Sequence, residues 1–252
     1  MDIEGAFGRA ELSCADLLHS VRTGQAAYPR RYGRTLWENL AGDTALAASF
    51  QAFMAVKSAR LAPVLAARHP WAALEHVVDV GGGDATVLTE LLIRHPGLRG
   101  TLVEQPAQAQ IALARLADAC LAHRACVTAG SCFDPLPPDA DRYLLCDVLH
   151  NWDDAAATAI LRRCAEAAGR RGSVLVVDGT STSAQEFSTE MDLRMLTWFG
   201  GRERTTAQLA VLAAAARLTV ASALTVDAWL RVTELTAIAD GPGEGPAACR
   251  EW

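Results

Sequence analysis

The sequence has few aromatic residues (6%), modest charge (21% Asp, Glu, Lys and Arg) and no excess of base, with 23 Lys and Arg against 29 Asp and Glu. A chain of net charge −6 lacks the basic surface that a nucleic-acid partner needs, and it is repelled by anionic lipid. No nucleic acid and no membrane is therefore expected as a partner. No uninterrupted apolar run reaches spanning length. The acidic start Met1-Asp2-Ile3-Glu4-Gly5 does not read as a secretory signal. Cysteines at 14, 120, 126, 132, 146, 164 and 249 are odd in number, irregular in spacing and without a C-x-x-C. They read as free thiols of a reducing cytoplasm, not as a disulfide framework or zinc site. The six histidines are equally scattered, so no metal is expected.

What is present is 51% apolar residues over 252 positions, ample for one α/β domain with an extension. The run Val77-Val78-Asp79-Val80-Gly81-Gly82-Gly83-Asp84-Ala85 reads as a buried strand, a tight turn and a helix opening. Glycines there let backbone approach a ligand, and the free N–H groups of the helix start face it. The run implies a nucleotide-like cofactor.

Strand-like and helix-like segments alternate through the rest of the chain. Strands are expected at 77–80, 100–104, 126–129, 143–148 and 173–178, with helices at 85–94, 107–121, 154–168 and 185–198. This implies a mostly parallel sheet with helices on both faces. Thr205 and Gln208 form a capping box that opens a helix to Ala216. Residues 219–224 and 229–238 read as a closing antiparallel hairpin. Before the alternation, 11–27 reads as a helix with a loop, Tyr28–Gly33 as a loop and 45–67 as a helix ended by His69-Pro70. Phe50, Phe53 and Met54 lie on or near one face of that last helix.

A nicotinamide site asks for G-x-G-x-x-G, but Thr86 occupies the third glycine position, whereas Gly81-x-Gly83-x-Ala85 suits the shorter loop of S-adenosylmethionine enzymes. Glu104, about 20 residues on and followed by Gln105, stands where a carboxylate grips a ribose diol. Gly130-Ser131-Cys132-Phe133-Asp134 is either an adenine edge, with Ser131 bonding it and Phe133 lining it, or a plain turn before Pro135. The second strong run is Cys146-Asp147-Val148-Leu149-His150-Asn151-Trp152-Asp153-Asp154, a strand that delivers a histidine to the ligand edge of the sheet.

These residues, with Gly200-Gly201-Arg202-Glu203-Arg204-Thr205, resemble the caffeic acid/hydroxyindole type of class I O-methyltransferase, especially its actinobacterial natural-product branch. The resemblance runs from about Ala15 to Ile238. It implies a Rossmann-like domain over 71–240, a helical extension over 1–70 that caps the acceptor site, and a flexible tail over 241–252. It implies S-adenosylmethionine as cofactor, S-adenosylhomocysteine as product and a small aromatic hydroxyl as acceptor. His150 becomes the general base, flanked by Asp178 and Glu203. Asp79, Gly81, Gly82, Gly83, Glu104, Gln105, Ser131, Cys132, Phe133, Cys146 and Trp152 become cofactor contacts, with Ser58 near the cofactor carboxylate. Phe50 and Met54 line the meeting point of the two substrates. Met195 and Trp198 are either acceptor contacts or core.

The chain departs from the family pattern at Glu104 (usually Asp), Ser131 (usually Asp) and Asp178 (usually Glu). The family also carries an N-terminal dimerisation domain of about a hundred residues, an ordinary domain size, and this sequence reads as beginning after it. A second subunit that supplies this part, or a homo-oligomer, is the expected partner. The rival readings are a non-methylating relative (hydroxylase, decarboxylase or cyclase) and a non-catalytic subunit of a two-part enzyme.

Overall fold

The computed structural model describes residues 2–179, 188–226 and 229–239. Short helices open the chain: α1 (Ala6–Ser13), α2 (Leu17–Thr23), α3 (Tyr28–Tyr32) and α4 (Leu36–Gly42). The long α5 (Thr44–Arg68) follows, and Asp43 caps it by accepting from the Ala45 and Leu46 amides at 3.0 Å. It ends where His69 turns extended ahead of Pro70. Then come β1 (His76–Val80), α6 (Thr86–Arg94), β2 (Arg99–Glu104), α7 (Pro106–Asp118), β3 (Ala125–Ala129) and β4 (Arg142–Cys146). A 3-10 turn (Leu149–Asn151) leads to α8 (Asp154–Ala168), β5 (Ser173–Gly179), α9 (Thr189–Phe199), α10 (Thr206–Ala215), β6 (Leu218–Val226) and β7 (Leu230–Ala237). Among the described residues, no helix is long and apolar enough to cross a membrane.

The described strands form one seven-stranded sheet in the order β3-β2-β1-β4-β5-β7-β6. The first five are parallel, and β7 runs antiparallel to both β5 and β6. Both faces are covered, which is why the central strands read as unbroken apolar runs rather than alternating ones. Successive side chains nonetheless go to opposite faces. Tyr143, Leu145, Val174 and Val176 join the core under α8 and α10, whereas Leu144, Leu175 and Val177 join the core under α5, α6 and α7. A third, smaller cluster of Ala10, Tyr28, Leu36, Met195 and Trp198 ties the N-terminal helices to α9.

The expected Rossmann-like sheet with its closing hairpin and the Thr205–Gln208 capping box are present. Three local readings change. Tyr28–Tyr32 is a helix, not a loop, because Pro29 falls in the first helical turn, where its missing N–H costs nothing, and Gly33 ends it at φ 74°. β4 stops at Cys146 rather than Val148, because Asp147 turns the backbone to φ 55°. The first helix begins at Ala6 and breaks at Cys14–Asp16. The helix expected from 185 is described only from Thr189, and the expected tail at 241–252 lies outside the described residues.

Candidate active site

β1 delivers its carboxyl end to the centre of the sheet, where the connections to β2 and β4 leave in opposite directions, and such a switch point opens a ligand crevice. Gly81 (φ 74°) and Gly83 (φ 61°) adopt the left-handed backbone that glycine tolerates. At Gly82 the constraint is space: a Cβ would lie 2.6 Å from Leu102 Cδ1 and overlap the Asp79 carboxylate. That carboxylate is fully buried, and neither oxygen has a hydrogen-bond partner among the described residues. Burial first, and then the nearby charge of Glu104, push its pKa up to about 7. Glu104 is also raised by burial, against the pull of its two backbone bonds. Its Oε2 accepts from Gly83 N at 3.0 Å and its Oε1 from Gln105 N at 2.7 Å. Two acidic groups around a glycine turn suit a ligand that brings an ammonium group and hydroxyl donors. S-adenosylmethionine carries both, so these residues fit that cofactor.

Beyond β3, Ser131 holds a turn: its N–H donates to Asp134 Oδ2 at 2.9 Å, and its hydroxyl accepts from Phe133 N at 3.2 Å. Burial raises the Cys132 thiol to about 11 and the Cys146 thiol well above its ordinary value, so both are neutral and inert. Phe133 meets Trp152 edge-on at 4.9 Å. Trp152 stacks on Trp37 at 5.9 Å, and Trp37 in turn packs against Phe50 and Phe199. Trp37 is a site-wall residue that the sequence reading missed.

His150 sits buried in the 3-10 turn after β4. Its Nδ1 lies 2.9 Å from Glu203 Oε1. A carboxylate there only accepts, so Nδ1 carries the proton and Nε2 is left unprotonated. Burial is the largest influence on the imidazole and lowers its pKa, but the Glu203 hydrogen bond and charge outweigh it and the net shift is upward. Of the two expected flanking carboxylates, Glu203 makes this contact. Asp178 stands 3.8 Å from Arg231 Nη2, with its pKa raised to about 6 by burial and by the charge of Glu203.

The turn that carries His150 is fastened from outside. Arg204 donates to the carbonyls of Leu149 (2.9 Å) and Trp152 (2.8 Å), and two of its nitrogens reach Asp154 Oδ1 at 3.0 and 2.9 Å. Arg231 donates to the Arg204 carbonyl at 2.5 Å. Gly201 packs flat beneath the turn, where a Cβ would strike the His150 carbonyl and, at 2.6 and 2.8 Å, the backbone of Asn151 and Trp152.

α5 supplies the opposite wall through Lys57 and Arg60. Phe50, Met54 and Ser58 recur with Lys57 at helical spacing on one stripe of that helix. Lys57 Nζ lies 2.8 Å from Asp147 Oδ1, a pairing the sequence gave no sign of because neither residue belongs to a recognised role. A cavity of about 180 Å³ opens between Lys57, Arg60, His150, Met191, Glu203 and Trp229. Met195 and Trp198 are buried in the third cluster, and Met191, one turn earlier on α9, is the methionine on this cavity. The arrangement can remove a proton from a small molecule beside a bound cofactor.

Comparison with known proteins gives one family. The O-methyltransferase domain family matches residues 14–218. A 2,7-dihydroxy-5-methyl-1-naphthoate 7-O-methyltransferase of Streptomyces carzinostaticus is 48% identical, over 94% of this chain and 71% of its own length. An aclacinomycin 10-hydroxylase of Streptomyces purpurascens is 45% identical, and this chain spans 60% of its length. The crystal structure of an O-methyltransferase from neocarzinostatin biosynthesis, in complex with S-adenosylmethionine and 2-hydroxy-5-methyl naphthoic acid, superposes with a TM-score of 0.88 at 48% identity, over 94% of this chain and 71% of that one.

Proposed function

We propose that this chain, which belongs to the O-methyltransferase domain family, methylates an aromatic hydroxyl of a small natural product with His150 as general base. As a family member it is an S-adenosylmethionine-dependent methyltransferase. The cofactor supplies an electrophilic methyl group, and the protein's part is to deprotonate and aim the nucleophile. A phenol of pKa near 10 is mostly neutral at pH 7. The unprotonated Nε2 of His150 is placed to take the hydroxyl proton of an acceptor; the methyl would pass to that oxygen from the cofactor's sulfonium, which would leave as a neutral thioether. Glu203 holds the ring in the required tautomer and stabilises the imidazolium that forms. The half-buried aromatic wall of Trp37, Phe50 and Trp152 shields the site from water and orients a planar acceptor. Asp79 and the Gly83-anchored Glu104 are the groups to hold the cofactor's ammonium and ribose.

The observation that carries this reading is the His150–Glu203 contact on the wall of the cavity. The test is formation of S-adenosylhomocysteine and a methyl ether from a panel of phenols and naphthols, with cofactor affinity measured separately. A second reading rests on the 45%-identical hydroxylase: tight cofactor binding with oxygenated rather than methylated product would establish it.

A further inference from the structure

Lys57 is the single lysine of the chain. It sits with Arg60, one turn further along α5, on the wall of the cavity that also holds His150 and Glu203. We propose that Lys57 and Arg60 form an anion subsite in that cavity, and that the acceptor is an aromatic hydroxy acid whose carboxylate they bind. The inference rests on the reading of the cavity as an acceptor site and names the class of acceptor.

Three observations carry it. Lys57 is held charged: its ammonium loses stability by burial but regains more from Asp147 at 2.8 Å, and its pKa is raised overall. An ammonium has three donors and, among the described residues, Lys57 has one close acidic neighbour, Asp147, so donors are available for a second acceptor at the cavity wall. Arg60 has no acidic partner among the described residues. Its guanidinium lies over the Trp229 ring, 5.1 Å from the centroid. Stacking leaves the in-plane N–H edge open, and that edge is the fork that matches a carboxylate. Two cations one turn apart on a helix reach the same spot. Met191 and Trp229, which share the wall with Gly179 and Ser188, are suited to a flat aromatic body. A carboxylate can take the Arg60 fork in place of solvent while its neighbouring hydroxyl meets His150, and a neutral acceptor gains no such charge-assisted bond.

The probe pair is 1-hydroxy-2-naphthoic acid and its neutral isostere 1-hydroxy-2-naphthamide, titrated by calorimetry into protein saturated with S-adenosylhomocysteine. The acid is expected to bind about ten-fold or more tightly than the amide, the value of a charge-assisted bond. Arg60→Gln, at an exposed position, is expected to bring the two within about three-fold, and Arg60→Lys to restore part of the difference. With [13C]lysine labelling the protein gives one Cε signal, and the acid is expected to shift it while the amide leaves it in place. Equal binding of acid and amide, an acid preference that survives Arg60→Gln, or an unmoved lysine signal would each overturn the proposal. So would an Arg60→Gln loss of S-adenosylhomocysteine affinity equal to the loss of acid affinity, because the cations would then serve the cofactor. Failure of the parent reading looks different. Preferential acid binding without methyl transfer leaves the subsite standing and removes the methylation; methylation of acid and amide alike does the reverse.

Discussion

Glu203 Oε1 lies 2.9 Å from His150 Nδ1, and both side chains are buried. This contact raises the imidazole pKa, so with His150 as the proposed base activity is expected to fall as pH drops through that raised value and the ring becomes protonated. Glu203→Gln keeps the shape and removes the charge. The acid limb of the kcat/KM profile is then expected to move to lower pH, while kcat falls because the imidazolium loses its counter-charge. An unmoved limb would assign that titration to another group.

His150→Gln is expected to lower kcat by about 10²- to 10⁴-fold, the usual range for a general base. Cofactor affinity should stay within about three-fold, because the ring is on the wall of the cavity proposed to take the acceptor. Single-turnover methyl transfer and calorimetry with S-adenosylhomocysteine separate the two effects. Equal loss of both would make His150 a structural residue.

Asp79 has a folded pKa of about 7 against an ordinary value of 3.8. Its ionised form opposes folding, so its contribution to stability is full below about pH 4 and is lost as pH rises through 7. Asp79→Asn removes that dependence. The cofactor-free variant is expected to match the wild type at low pH and to exceed it by roughly 2–4 kcal/mol at pH 8, with cofactor affinity at least about ten-fold weaker. Urea melts at the two pH values check the first part, and calorimetry the second.

Arg204 bonds the carbonyls on both sides of His150 as well as Asp154. A lysine cannot span those acceptors with one ammonium. Arg204→Lys is expected to reduce kcat by about ten- to a hundred-fold through misplacement of the base, with KM for the acceptor little changed. Hydrogen exchange at 149–152 should rise in the variant. A lower melting temperature with intact kcat would limit Arg204 to a structural part.

The sheet was legible because strands covered on both faces are written as continuous runs of Val and Leu, as at 77–80 and 173–177. The glycine turn and His150 were legible because backbone conformation and strand ends impose local patterns. α3 was hidden by Pro29, which reads as loop punctuation unless its place in the first turn is known. Lys57, Asp147, Trp37 and Arg231 were hidden for a different reason: each gains its meaning from a partner distant in sequence. Lys57 and Asp147 become a pair only when α5 packs across the end of β4. Ser131 was read as either an adenine contact or a turn, and its hydroxyl and amide are both engaged in the turn.

β7 occupies the place between β5 and β6, although it follows both in the sequence. While the chain folds, β5 therefore has β4 on one side and an open edge on the other until residues 230–237 pair with it. Until then Arg231 has not reached the Arg204 carbonyl to which it donates in the folded protein. An open edge is where a second chain can add, so substitutions that slow the docking of β7 should lower the yield of active protein through aggregation.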